Sequence, residues 1–278
     1  MYLRRCSTLL GKLIKNDFIA SAHSMLGIYL ATLAVGIVTA ITYAFESPAV
    51  IQGIVTVILL ILSFAILIIP IFQLLSYFNK SLYSNQGYLS YTLPVKSRNL
   101  LFSKAVVSFS WITLSYAFYI GIYTFIIKYF FSKMDPSILE QLELIYDMIE
   151  SLPDKSVILK VIAVVLLLAF IEILVLVSQI FFSITLSNIK PLNQLGGAGG
   201  VILFIAIFLA MFSAFINLTQ YFPLSLYITN QKVMLVQSAM YGTAGTLIGI
   251  AGIIFQIVCT VAMFVATNYL MKKKINIK

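Results

Sequence analysis

Charge is what this sequence has least of. Nine acidic and eighteen basic residues make up 10% of 278, where a water-soluble domain carries about 25%. So few ionisable groups cannot coat a surface facing water. Histidine is nearly absent: with His23 alone, no H-E-x-x-H is possible and a Cys/His metal site is all but excluded. A Ser/His/Asp triad would have to recruit that one residue from the membrane edge. Cys6 and Cys259 lie near opposite ends of the chain, so no disulfide is expected between them. A phosphate-binding G-x-x-x-x-G-K-[ST] is missing too, because no lysine follows the glycine cluster Gly196-Gly197-Ala198-Gly199-Gly200. These absences argue against an enzyme with its own metal or cofactor.

What the chain has in abundance is apolar sequence, 61% hydrophobic with a mean hydropathy of +1.04. Six runs exceed the roughly 20 residues that a helix needs to cross a hydrocarbon core. They cover approximately Met25–Phe45, Ile51–Phe78, Ala105–Phe131, Val157–Leu186, Val201–Tyr221 and Ala244–Leu270. They are long and continuous, not short and alternating, which selects helices over a β-barrel. The expectation is an all-α polytopic membrane protein of about six transmembrane helices, a single transmembrane domain over residues 1–278. Pro70 is expected to kink the second helix or end it early. The glycine cluster at 196–200 reads as a flexible loop before the fifth.

The formal net charge of +9 would suggest nucleic acid in a soluble protein. Here the cations flank apolar runs, so a lipid bilayer is the expected partner and nucleic acid is not. Thirteen of the eighteen fall on one side: Arg4, Arg5, Lys12, Lys15, Lys80, Lys96, Arg98, Lys104, Lys190, Lys272, Lys273, Lys274 and Lys278. By the positive-inside tendency that side is cytoplasmic, and six spans put both termini there. Glu46, Asp135, Glu140, Glu143, Asp147, Glu150 and Asp154 all lie opposite.

Three segments outside the spans carry a pattern. In residues 1–24, Leu9, Leu10, Leu13, Ile14 and Phe18 alternate with Lys12, Lys15 and Asp17 at helical spacing. This predicts an N-terminal amphipathic helix in the inner interface, the alternative being a plain extension of the first span. Residues 132–156 begin a helix at Asp135-Pro136 and read as an external amphipathic helix whose acidic face is either solvated or attractive to cations. Residues 219–242, broken by Pro223, Asn230, Gln231 and Lys232, read as short external or re-entrant helices.

Polar residues within the spans are few. Glu172 lies near the middle of the fourth, with Gln179 and Ser183 on the same helical stripe. Ser213 and Asn217 form a similar stripe on the fifth. An ionised carboxylate at that depth costs roughly 2.5–3.5 kcal/mol on insertion scales. These residues therefore either line a substrate path or make interhelical hydrogen bonds. Gly245, Gly249 and Gly252 share a face leading to Gln256, where small residues let another helix approach closely.

The most unusual connector is the segment at 79–104, between the second and third spans. It places Tyr88, Leu89, Tyr91 and Leu93 on the water side beside Lys96 and Arg98, a combination suited to docking another protein. The alternative is a loop folded against the headgroups. Gly87-Tyr88-Leu89-Ser90-Tyr91-Thr92-Leu93-Pro94-Val95, followed by Leu100-Leu101-Phe102-Ser103-Lys104 and Trp111, resembles a motif of bacterial ABC exporter permeases. The N-terminal Leu13-Ile14-Lys15-Asn16-Asp17-Phe18 is similar to their entry helix.

The resemblance implies a plasma-membrane permease subunit that exports a substrate. It would pair with a second permease subunit, as homo- or heterodimer, and with an ABC-type nucleotide-binding ATPase holding the ATP and magnesium. It further implies that Gly87, Tyr88, Leu89, Thr92, Leu93, Pro94 and Lys96 form the ATPase-coupling surface, and that the external segment between the last two spans is re-entrant. A different class stays open, a stand-alone proton-coupled transporter or intramembrane enzyme using Glu172.

Overall fold

A computed structural model describes residues 2–83, 97–126, 155–222, 224–228, 233–237 and 246–273. Six long helices run through them: α1 Tyr2–Ala44, α2 Ala49–Tyr83, α3 Ser97–Ile126, α4 Lys155–Ser187, α5 Gly199–Tyr221 and α6 Ile250–Lys273. Each contains a stretch long and apolar enough to cross a membrane. The chain is a multi-pass membrane protein. Large apolar side chains such as Leu30, Ile61, Leu166 and Val265 stand exposed along the helices, which a hydrocarbon solvent accepts and water would not.

The single transmembrane domain read from the sequence divides into two compact units. The first comprises α1, α2 and α3, each packed on the other two. The second comprises α4, α5 and α6, again mutually in contact, with a seven-residue 3-10 segment, Leu192–Ala198, between α4 and α5. The glycine cluster at 196–200 thus belongs to this segment and to the first turn of α5, where an open loop was expected.

Three other expectations change. The N-terminal amphipathic helix is not a separate element: α1 continues from Tyr2 into the first span without a break. Asp17, assigned to its polar face, turns instead into the bundle. Pro70 does not end α2, which runs on to Tyr83 with Pro70 buried. Ending a helix there would leave backbone groups unpaired in hydrocarbon, whereas neighbouring helices can cover the one hydrogen bond that proline removes. Finally, part of the 219–242 segment is extended where short helices were expected, and so are residues 246–249, which the sequence placed at the start of the sixth span. Strands β1 Leu224–Ile228, β2 Val233–Gln237 and β3 Thr246–Gly249 pair antiparallel in the order β2-β1-β3, with Leu226 opposite both Leu235 and Ile248. The β-branched and aromatic residues flanking Asn230 suit such pairing.

The turn between α1 and α2 spans residues 45–48. Glu46 takes a positive φ of 47° there, and the Ser47 N–H donates to Thr42 O at 3.1 Å. Gln52 reaches back from α2 to donate to Thr42 O at 3.2 Å, and the Tyr43 and Thr56 hydroxyls meet at 3.2 Å. These contacts fix the two helices antiparallel from the turn onwards.

Candidate functional site: a buried ion pair among the first three helices

In the first unit, α1 and α3 face each other through polar side chains spaced at helical repeats. On α3, Lys104, Ser108, Trp111 and Ser115 lie on one face and all are buried. On α1, Asp17, Ser21 and Tyr29 follow the same rule, with Ser21 and Tyr29 buried. The rungs match in order. Lys104 Nζ pairs with Asp17 Oδ1 at 3.0 Å, Trp111 Nε1 donates to Ser21 Oγ at 2.9 Å, and Tyr29 Oη meets Ser115 Oγ at 2.6 Å. Residue numbers rise together on both helices, so α1 and α3 are parallel. Between the rungs, Phe18 packs on Trp111 with centroids 4.9 Å apart, and Tyr29 stacks on the same indole at 6.1 Å.

The first rung gathers the most chemistry. Asp17 accepts from Lys104, from Tyr77 Oη of α2 at 2.9 Å and from Ser103 Oγ at 3.0 Å. The Lys104 side chain is 2% exposed and that of Asp17 14%. Lys104 Nζ also lies over the Tyr77 and Phe78 rings, 5.2 and 5.8 Å from their centroids, where the negative ring faces favour a cation. Two charges withdrawn from water are tolerated because the carboxylate is filled by three donors and the ammonium by a carboxylate and two rings. Removing one partner leaves the other charge stranded, at a cost of about 3–5 kcal/mol. The site binds three helices through one carboxylate. That is what it can do chemically: it holds.

Elsewhere in this unit, an apolar groove of about 600 Å³ runs between α1 and α3 over Leu59 of α2, lined by residues such as Gly36, Phe118 and Gly121. The polar group in its wall, the Thr32 hydroxyl, donates to Ile28 O of its own helix at 2.7 Å. Nothing there orients a polar substrate.

In the second unit, the intramembrane polar residues are placed as follows. Glu172 is exposed on α4, and its Oε1 accepts from Gln256 Nε2 of α6 at 2.9 Å. Gln256 is almost wholly buried. Gln179 is buried as well, its Oε1 without a hydrogen-bond partner. Ser183 is buried and donates to Ile180 O of its own helix. Ser213 and Asn217 are exposed on α5, where the Asn217 amide donates to Ser213 O at 2.7 Å. The α4 stripe therefore divides between outside and inside, and its members are not gathered with those of α5 into one polar path. Gly249 and Gly252 face α5. A Cβ on Gly252 would stand 2.6 Å from the Phe215 ring and 2.8 Å from Thr219 Oγ1, and one on Gly249 would overlap the Thr219 side chain. Gly245 lies outside the described residues, as do the external helix of residues 132–154 and all seven coupling-surface residues, Gly87, Tyr88, Leu89, Thr92, Leu93, Pro94 and Lys96.

The Asp17 site was not assembled by sequence reasoning. Its signals were present singly: Asp17 is the acidic residue among thirteen cations on the basic side, Lys104 sits two turns into an apolar helix, and Trp111 is the one tryptophan. In comparison with known proteins, the chain matches no family model, no curated protein and no solved structure.

Proposed function

We propose that this chain is the membrane permease subunit of an ABC exporter in a bacterial plasma membrane, driven by a separate ATPase that docks on residues 79–104. One observation carries the reading. Residues 87–96, rich in tyrosine and leucine and ending in a lysine, connect two membrane-length helices by a segment resembling an exporter's coupling motif. An apolar, basic connector of this kind suits a surface that another subunit must grip. With both termini and residues 79–104 on the cytoplasmic side, the ATP and magnesium stay on the partner. A second permease subunit, identical or related, would complete the pathway.

The test is co-purification of the full chain with an ABC-type ATPase encoded beside it. Tyr88→Asp and Leu93→Asp are expected to lower association at least tenfold. Unchanged association and unchanged ATPase stimulation would sink the docking assignment. A second reading is favoured by Glu172, an exposed carboxylate within a span that accepts a hydrogen bond from the neutral Gln256 amide. A stand-alone proton-coupled transporter would lose pH-gradient-driven flux in Glu172→Gln, with no ATPase present. The permease reading expects ATP-dependent activity to survive that change.

A further inference from the structure

Residues 84–96 join the end of α2 to the start of α3. Tyr77 stands six residues inside the end of α2 and Lys104 seven beyond the start of α3, about 9 and 10 Å along the helix axes at 1.5 Å per residue. Both bind one carboxylate, and it belongs to neither helix. Asp17 of α1 takes Tyr77 Oη at 2.9 Å and Lys104 Nζ at 3.0 Å on Oδ1, and Ser103 Oγ at 3.0 Å on Oδ2. The helix with no direct chain connection to the segment is thus fastened to both helices that flank it, at the level where they leave it.

The fastening resists sliding more than the rungs beyond it do. Hydroxyls such as Ser21 and Ser115 also bond to their own helix, Ser21 Oγ to Asp17 O at 2.8 Å and Ser115 Oγ to Trp111 O at 2.9 Å. They keep an acceptor if α3 shifts. Lys104 has no such reserve. Moving α3 by one turn past α1 would separate two charges at a point where the lysine is 2% exposed, a desolvated arrangement that does not yield gradually.

Resting on the reading of residues 79–104 as the coupling segment, we infer that Asp17 and Lys104 are positioning residues of the coupling step. They hold α1 to both flanking helices, so that an ATP-driven displacement moves these ends of α1, α2 and α3 as one body. Force applied to the α2–α3 connection then reaches α1 without passing through the chain's first turn at residues 45–48. A contact that merely stabilised the fold would leave the nucleotide response the same whether or not the charges were present.

The experiment uses the full chain in complex with its ATPase in lipid nanodiscs, with Cys6 and Cys259 replaced by serine. Spin labels go on Lys12→Cys of α1 and Arg98→Cys of α3, both exposed positions. Maleimide labelling of Arg98→Cys alone reports whether the segment responds to ATP with vanadate. The expected result is a several-fold change in labelling rate while the 12–98 distance stays constant. In the neutral double variant Asp17→Asn/Lys104→Met the same nucleotide should shift or broaden that distance, and the reversed pair Asp17→Lys/Lys104→Asp should restore its constancy. If the distance changes with nucleotide in the native pair, the inference is overturned whatever the variants do. It is also overturned if the neutral pair holds the distance as firmly as the native one. A complex that never forms, or a labelling rate indifferent to nucleotide, removes the permease reading itself and this inference with it.

Discussion

The two units solve the same packing problem with different chemistry. In the first, α1 and α3 are joined by a ladder of polar rungs, Asp17–Lys104, Ser21–Trp111 and Tyr29–Ser115. In the second, α5 and α6 meet by close approach, Gly252 lying beneath Phe215 and Thr219, and a cross-helix polar contact between α4 and α6 is made by the Gln256 amide on Glu172. Between apolar helices in lipid there is little hydrophobic drive, so contact must come from hydrogen bonds or from shape. The first unit leans on bonds whose partners are specific, the second on surfaces with nothing protruding. The former is vulnerable to loss of a charge and the latter to gain of a methyl group.

That difference can be broken at chosen points. The largest effect is expected from Lys104→Ala, which strands Asp17 and should cost about 3–5 kcal/mol. Unfolding in mixed micelles would measure it, and hydrogen exchange should localise the loss to α1–α3. The Asp17→Asn/Lys104→Met pair should recover most of that stability, because neither charge remains. Next comes Gly252→Leu. Overpacking a closed seam costs about 1–3 kcal/mol, and here the exchange should rise in α5 and α6 while the first unit is unaffected. Equal responses in both units would refute the contrast. Trp111→Phe should be mildest, about 1 kcal/mol, since it keeps a ring against Phe18 and Tyr29 and loses the Nε1–Ser21 bond. The same unfolding assay should separate it clearly from Lys104→Ala.

Hydropathy made the six helices legible because a span must be continuous and apolar to survive in lipid, and that demand is written along the chain. Helix ends were less so. Residues 2–24 carry charges at amphipathic spacing, yet the helix passes through them because nothing in Met25 or its neighbours stops it. Of the two outcomes read for Pro70, ending the helix is the one that fails, for a related reason: the rule that proline ends helices assumes that water will take the freed carbonyl. The pairing of Asp17 with Lys104 joins residues 87 apart, and no local period encodes a partner at that distance. Glu172 and Gln256 stood out separately, one as a charge out of place and the other as the end of a glycine row, but only packing α4 on α6 brings them to 2.9 Å. Strand pairing between β1 and β3 is equally non-local. Gly252 could be singled out because absence of a side chain is itself a local property, but Gly249 ends β3 and so is not part of the helical row that the spacing suggested.

That glycine seam has a further consequence. Gly249, the last residue of β3, and Gly252, in the first turn of α6, present bare backbone to α5 at positions where even one added carbon would collide with Thr219 or Phe215. Turning the sixth helix about its own axis would bring a neighbouring side chain, Ile250 or Ile253, into the place that the glycine leaves free. The seam therefore permits a single azimuth, and the last helix is indexed against the fifth like a keyed shaft.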